Sequence, residues 1–224
     1  MGASTLYQVG DALPDASGAL AFARQLMDRF GSGAAEGADF ALNDIATVEQ
    51  FHYARRYFGH GTFMGSEHYL HDPGYREFWQ TLARWGFEEK YEGLWAETDL
   101  QPQLAALWPL PEGVQFQLAK GSTPSTFPFS ATYDWSETDI DAAVAAAGPL
   151  TADIAWFSPL RGLPAPKLCG VQLCLNGVWA VQCSEPAPGV HTVYLSIGTR
   201  NSDELAERWL HETGLDVGEG LAGW

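Results

Sequence analysis

Apolar residues at Leu20, Ala23, Met27 and Phe30 recur at helical spacing, which predicts an α-helix over 17–30, capped by Ser17 and ended by Gly31. The glycine-rich segment 31–37 that follows reads as an exposed connection. It lacks the Lys-Ser/Thr ending that a phosphate-binding loop needs. A second helix starts at Thr47, whose spacing to Gln50 makes a capping box, and runs to about Phe58, before Gly59 and Gly61. A third is announced by Asp72-Pro73, an N-cap with proline at the first helical position, and carries Phe78, Leu82 and Trp85 up to Gly86.

Beyond Gly86 the pattern shortens to alternation and runs of β-formers, predicting strands over 87–96, 114–120, 127–135 and 151–157, with a helix over 136–147. Asn176-Gly177 lies between two apolar runs within 168–183. That dipeptide supplies the positive φ angles of a two-residue turn, so a hairpin is expected there. A strand over 190–197, a helix over 202–212 capped by Asn201 with Glu204, and an exposed glycine-rich tail to Trp224 complete the reading. The expected fold class is α+β: mainly antiparallel sheet in the C-terminal half with packed helices, and a helical N-terminal third. No internal repeat is seen, so residues 1–224 are expected to form a single domain, with possible subregions 1–110, helix-rich, and 111–224, sheet-rich.

With 46% hydrophobic residues, nine Trp, eight Tyr and twelve Phe in 224 positions, the chain has ample material for a core. Its net charge is nevertheless −16, from 28 Asp and Glu against 12 Lys and Arg. A surface so negative repels phosphates and anionic lipids and draws in cationic partners, so neither nucleic acid nor membrane is expected to bind. No run of eighteen apolar residues occurs, and the N-terminus lacks a leader pattern. The three cysteines, Cys169, Cys174 and Cys183, have no CxxC spacing and read as small apolar fillers of a reduced, cytoplasmic protein.

Candidate chemistry falls in two places. Four of the six histidines, His52, His60, His68 and His71, lie close together with Glu49, Glu67 and Asp72. Imidazole and carboxylate are donors for a divalent transition metal, so a metal-dependent enzyme built on Glu49, His52, His60, His68 and His71 is the alternative reading. Neither HExxH nor GxSxG is present, and no catalytic residue is assigned.

The second place is the stretch 121–160, which has no Lys or Arg and holds Asp134, Trp135, Glu137, Asp139 and Asp141. Carboxylates pair with cations while a neighbouring Trp supplies a desolvated anchor, so these five residues are the expected contact surface for a basic protein. In size, acidity and aromatic content the chain is similar in class to bacterial immunity proteins, which neutralise nuclease and other toxins by covering a positive cleft. The expectation is an acidic binding protein of the immunity or inhibitor type, without cofactor, that masks a basic partner by electrostatic capture and burial of an aromatic anchor. A third reading is a small-molecule carrier with an aromatic-lined cavity.

Overall fold

In the computed structural model, residues 3–32, 37–42, 45–56, 60–87, 89–90, 95–118, 141, 144–145, 147–180 and 183–223 are described. In chain order the elements are β1 (Ser4–Val9), α1 (Ala16–Phe30), β2 (Gly37–Leu42), α2 (Val48–Ala54), β3 (His60–Met64), α3 (Pro73–Arg84), β4 (Glu89–Lys90), β5 (Trp95–Asp99), β6 (Gln115–Gln117), β7 (Ala152–Phe157), β8 (Gly170–Leu175), β9 (Gly177–Ala180), β10 (Cys183–Pro186), β11 (Thr192–Gly198), α4 (Asp203–Thr213) and β12 (Val217–Ala222). The chain divides into two compact units, one from Met1–Phe40 with Thr132–Trp224 and the other from Ala41–Ala131, so the second is inserted into the first.

The first unit is built on a six-stranded sheet in the order β12-β1-β11-β8-β7-β2, whose β1, β7, β8, β11 and β12 pair antiparallel. α1 packs on β8 and β11 through Ala19, Leu20, Ala23, Leu26 and Phe30, the buried stripe of an amphipathic helix. Phe30 meets Trp209 of α4 edge to face, with ring centroids 5.5 Å apart. The Arg29 guanidinium donates to the last-turn carbonyl of Thr213 at 2.9 Å, which ties the two helices at their ends.

The second unit has a four-stranded antiparallel sheet in the order β4-β5-β3-β6. Its inner face presents Phe63 and Phe116 to Phe51, Phe78 and Trp108, with ring centroids 4.5 Å apart for Phe63–Phe116 and 4.6 Å for Phe51–Trp108. A glycine is required at Gly61, because a Cβ there would run into the Phe116 ring. α2 carries the expected capping box, in which Gln50 N–H donates to Thr47 Oγ1 at 3.2 Å and Thr47 N–H to Gln50 Oε1 at 3.0 Å.

The helical N-terminal third is overturned. β1, β2 and β3 alternate with α1 and α2, and the protein is a mixed α+β fold with strands in its N-terminal third as well as its C-terminal half. β1 shows why local pattern was insufficient: its partners are at the far end of the chain, with Ser4 opposite Gly198 and Thr5 opposite Ala222. The glycine-rich tail is for the same reason not a tail but β12, held to β1 by pairing that no local signal announces.

The expected Asn176-Gly177 hairpin is also corrected. β8 pairs with β11 and β7, whereas β9 leaves that sheet to pair with β10. Asn176 does adopt positive φ, +48°, but its buried side chain fastens the exit. Its Nδ2 donates to Gly148 O at 2.8 Å and Leu150 O at 2.9 Å, and its Oδ1 accepts from Gly189 N–H at 3.2 Å. The helix expected over 136–147 is seen at residues 141, 144, 145 and 147, and the strand expected over 127–135 lies outside the described residues. α1 is capped by Asp15, not Ser17, and α4 by Ser202, not Asn201.

Candidate functional site

Strand alternation on β3 and β5 sends every second side chain to the outer face of the four-stranded sheet. The burial pattern shows it directly: on β5, Trp95, Glu97 and Asp99 are exposed while Ala96 and Thr98 are buried, and on β3, His60 and Met64 are exposed while Gly61 and Phe63 are buried. The register sets His60 opposite Asp99, Thr62 opposite Glu97 and Met64 opposite Trp95, with Gln115 of β6 beside Met64. One face therefore holds an apolar pair at one end and an acid-histidine pair at the other.

At the acidic end His60 Nδ1 lies 2.5 Å from Asp99 Oδ1, both side chains being well exposed. Beside them opens a cavity of about 420 Å³ lined by His60, Gly86, Phe87, Glu97, Asp99 and Gln101. Its charged lining suits a cationic group better than an apolar ligand. At the other end Met64 and Trp95, with Trp85 and Leu221, are the large apolar side chains left exposed among the described residues, at 41% and 36% for the first two. A surface Trp followed on the same strand face by two carboxylates spaced about 7 Å apart can stack on a guanidinium while the acids pair with neighbouring cations.

The sequence-derived site residues fall as follows. Asp134, Trp135, Glu137 and Asp139 lie outside the described residues. Asp141 is exposed and paired with Arg24 at 3.1 Å, within the first unit. Of the metal candidates, Glu49 and His52 are exposed on α2, His60 faces Asp99, His68 sits in a 3₁₀ turn over Glu67–Tyr69, and His71 precedes the Asp72 cap of α3. Among the described residues no three His, Cys, Asp or Glu side chains gather as a metal-binding group, so the histidines that are close in sequence are not brought together.

Cys169 and Cys174 are buried, Cys174 donating to Asp153 Oδ1 at 3.0 Å, and burial pushes the Cys169 thiol above its ordinary value. No helix among the described residues is long and apolar enough to cross a membrane.

The residues that sequence reasoning missed are Met64, Trp95, Glu97 and Asp99. The signal was present in Trp-Ala-Glu-Thr-Asp at 95–99, a strict two-residue alternation that puts one aromatic and two acids on the same side. No protein-family model matches the chain, and no curated protein or solved structure matches it either.

Proposed function

We propose that this chain is an acidic binding protein that masks a basic protein partner, and that the outer face of β3 and β5 is a contact surface for it. The observation that carries the reading is the exposed Trp95, opposite Met64 and on the same face as Glu97 and Asp99. Trp and Arg dominate the energetics of protein interfaces, and an exposed Trp beside carboxylates offers the complement of an Arg-bearing surface. The net charge of −16 supplies long-range attraction, and the aromatic end supplies the short-range, desolvated contact. The mode of action is that of immunity and inhibitor proteins, capture followed by occlusion of the partner's cationic surface. Buried thiols at Cys169 and Cys174 accord with action in a reducing cytoplasm.

The test is co-purification from the native host at low and high ionic strength, with the wild-type chain beside Trp95→Ala and a Glu97→Lys/Asp99→Lys double variant. The reading expects a basic protein retained by the wild type at low salt, released at high salt, and lost from both variants. Retention of that protein by the double variant contradicts it.

A further inference from the structure

The first unit ends in a sheet edge that is partly covered, since β9 touches β12. β12 is the outermost strand, and its register on β1 sets Thr5 opposite Ala222, Leu6 opposite Leu221 and Tyr7 opposite Gly220. Gly223 N–H donates to Ser4 O at 2.8 Å, which makes Ser4–Gly223 a hydrogen-bonded pair. Bonded and non-bonded pairs alternate along an antiparallel ladder, so Gly220 and Ala222 direct their N–H and C=O away from β1. The outward carbonyl of Ala222 is taken by the Trp179 indole N–H at 2.8 Å. Gly220 is left presenting a donor and an acceptor at the rim of the sheet.

Gly220 is also where the strand is thinnest. A Cβ on it would stand 2.8 Å from Thr5 Cγ2 and 2.9 Å from Tyr7 Cε1, so the bare backbone lets the Tyr7 ring lie across the strand. Next to that ring is a cavity of about 490 Å³, walled by Tyr7, Glu207, Leu210, His211 and Asp216 with the Gly218–Gly220 backbone. Its apolar wall is Leu210, Leu215, Val217 and the Tyr7 ring, and its charge is negative. Asp203 and Glu207 add to burial in raising the Tyr7 hydroxyl above its ordinary value, which places their field at the cavity. From 203 to 220 the chain has six acids against the single Arg208, and none of the six makes an ion pair among the described residues.

Strand addition at such an edge draws affinity from the main chain and specificity from pockets for alternate side chains. A second copy of this chain is disfavoured as the added strand, because Asp216 and Glu219 would bring like charges together between molecules already at −16. We infer that β12 receives an extended, Lys- or Arg-bearing segment of a protein partner as a seventh strand, with one basic side chain laid along Tyr7 and Leu210 and its charged head at Glu207. The inference rests on the reading of the chain as a receptor for basic protein and adds a second, separate surface with its own mode of contact.

The experiment uses the full chain and two fluorescent hexapeptides of alternating Val and Arg, one unmodified and one methylated on alternate backbone nitrogens. Both carry the same charge, but the methylated peptide cannot pair with a strand. The unmodified peptide is expected to bind and to slow hydrogen exchange at the Gly220 amide. Methylation, or Glu207→Lys at that exposed position, is expected to weaken binding by roughly tenfold or more. Equal binding of the two peptides, or no slowing at Gly220, overturns strand addition while leaving the reading of the β3–β5 face intact. No binding of either peptide also overturns it, and slow exchange at Gly220 that depends on protein concentration alone assigns the edge to a second copy instead. The reading it rests on fails separately, by retention of the partner on the Glu97→Lys/Asp99→Lys chain.

Discussion

Met64 and Trp95 stand directly opposite each other on β3 and β5, and each leaves more than a third of its surface open, 41% and 36%. Two large apolar side chains side by side on an exposed sheet face are the surface that the proposed partner would cover. Trp95→Ala is expected to weaken partner binding by about 2 kcal/mol, roughly thirtyfold, with Met64→Ala following at a smaller cost. Because both are exposed, the denaturation midpoint should move by only about 0.5 kcal/mol in stability. Titration calorimetry beside chemical denaturation separates the two effects.

Asn176 and His191 predict a pH dependence. Asn176 N–H donates to His191 Nδ1 at 3.2 Å, so the imidazole accepts there and must be neutral at that nitrogen. Burial lowers the His191 pKa, partly offset by Asp15. The unfolded chain therefore takes up this proton first. The stability that the site contributes is complete above about pH 6.5 and declines as the pH falls below it. Urea denaturation between roughly pH 7.5 and 5.5 should show this slope in the wild type and a flatter one in His191→Gln.

Asn201 was read as a helix cap, yet Ser202 takes that role, its hydroxyl accepting from Leu205 N–H at 3.3 Å. Asn201 is buried and ties the loop at Ala165 to the end of β11: its Oδ1 accepts from Ala165 N–H at 3.1 Å, and its Nδ2 donates to Ala165 O at 2.9 Å and Gly198 O at 3.1 Å. Asn201→Ala strands those buried groups and is expected to cost about 2–3 kcal/mol, against about 1 kcal/mol for Ser202→Ala. Thermal melts of the two variants check the order.

The helices were the most legible part of the fold, because the signals that make them are local. Thr47 with Gln50, and Asp72 before Pro73, mark α2 and α3 within a turn of their starts. Strand partners were illegible, since β1 gains its place only from β11 and β12, whose pairing residues lie beyond position 190. The Asn-Gly signal at 176–177 was half right for backbone conformation, since Asn176 but not Gly177 has positive φ, and wrong for topology, since Thr192 opposite Cys174 gives β8 a different neighbour. For the candidate site, composition carried only the net charge, while the choice of face needed the alternation of β5 to be read against β3.

The inner face of that sheet predicts its own fragility. A methyl group at Gly61 would collide with the Phe116 ring, so Gly61→Ala should destabilise the protein by about 1–3 kcal/mol. Phe63→Ala, which opens a cavity between Phe78 and Phe116, should cost about 3–5 kcal/mol. Denaturant titration followed by tryptophan fluorescence measures both.

The most direct test of partner masking is the association rate of the co-purified basic protein with the wild-type chain and with Glu97→Lys/Asp99→Lys, followed across ionic strength by stopped flow. The wild type should associate fast, slowing steeply as salt is added, and the variant should be slower with a shallower salt dependence. Equal rates and equal salt slopes for the two proteins would contradict the assignment of this face.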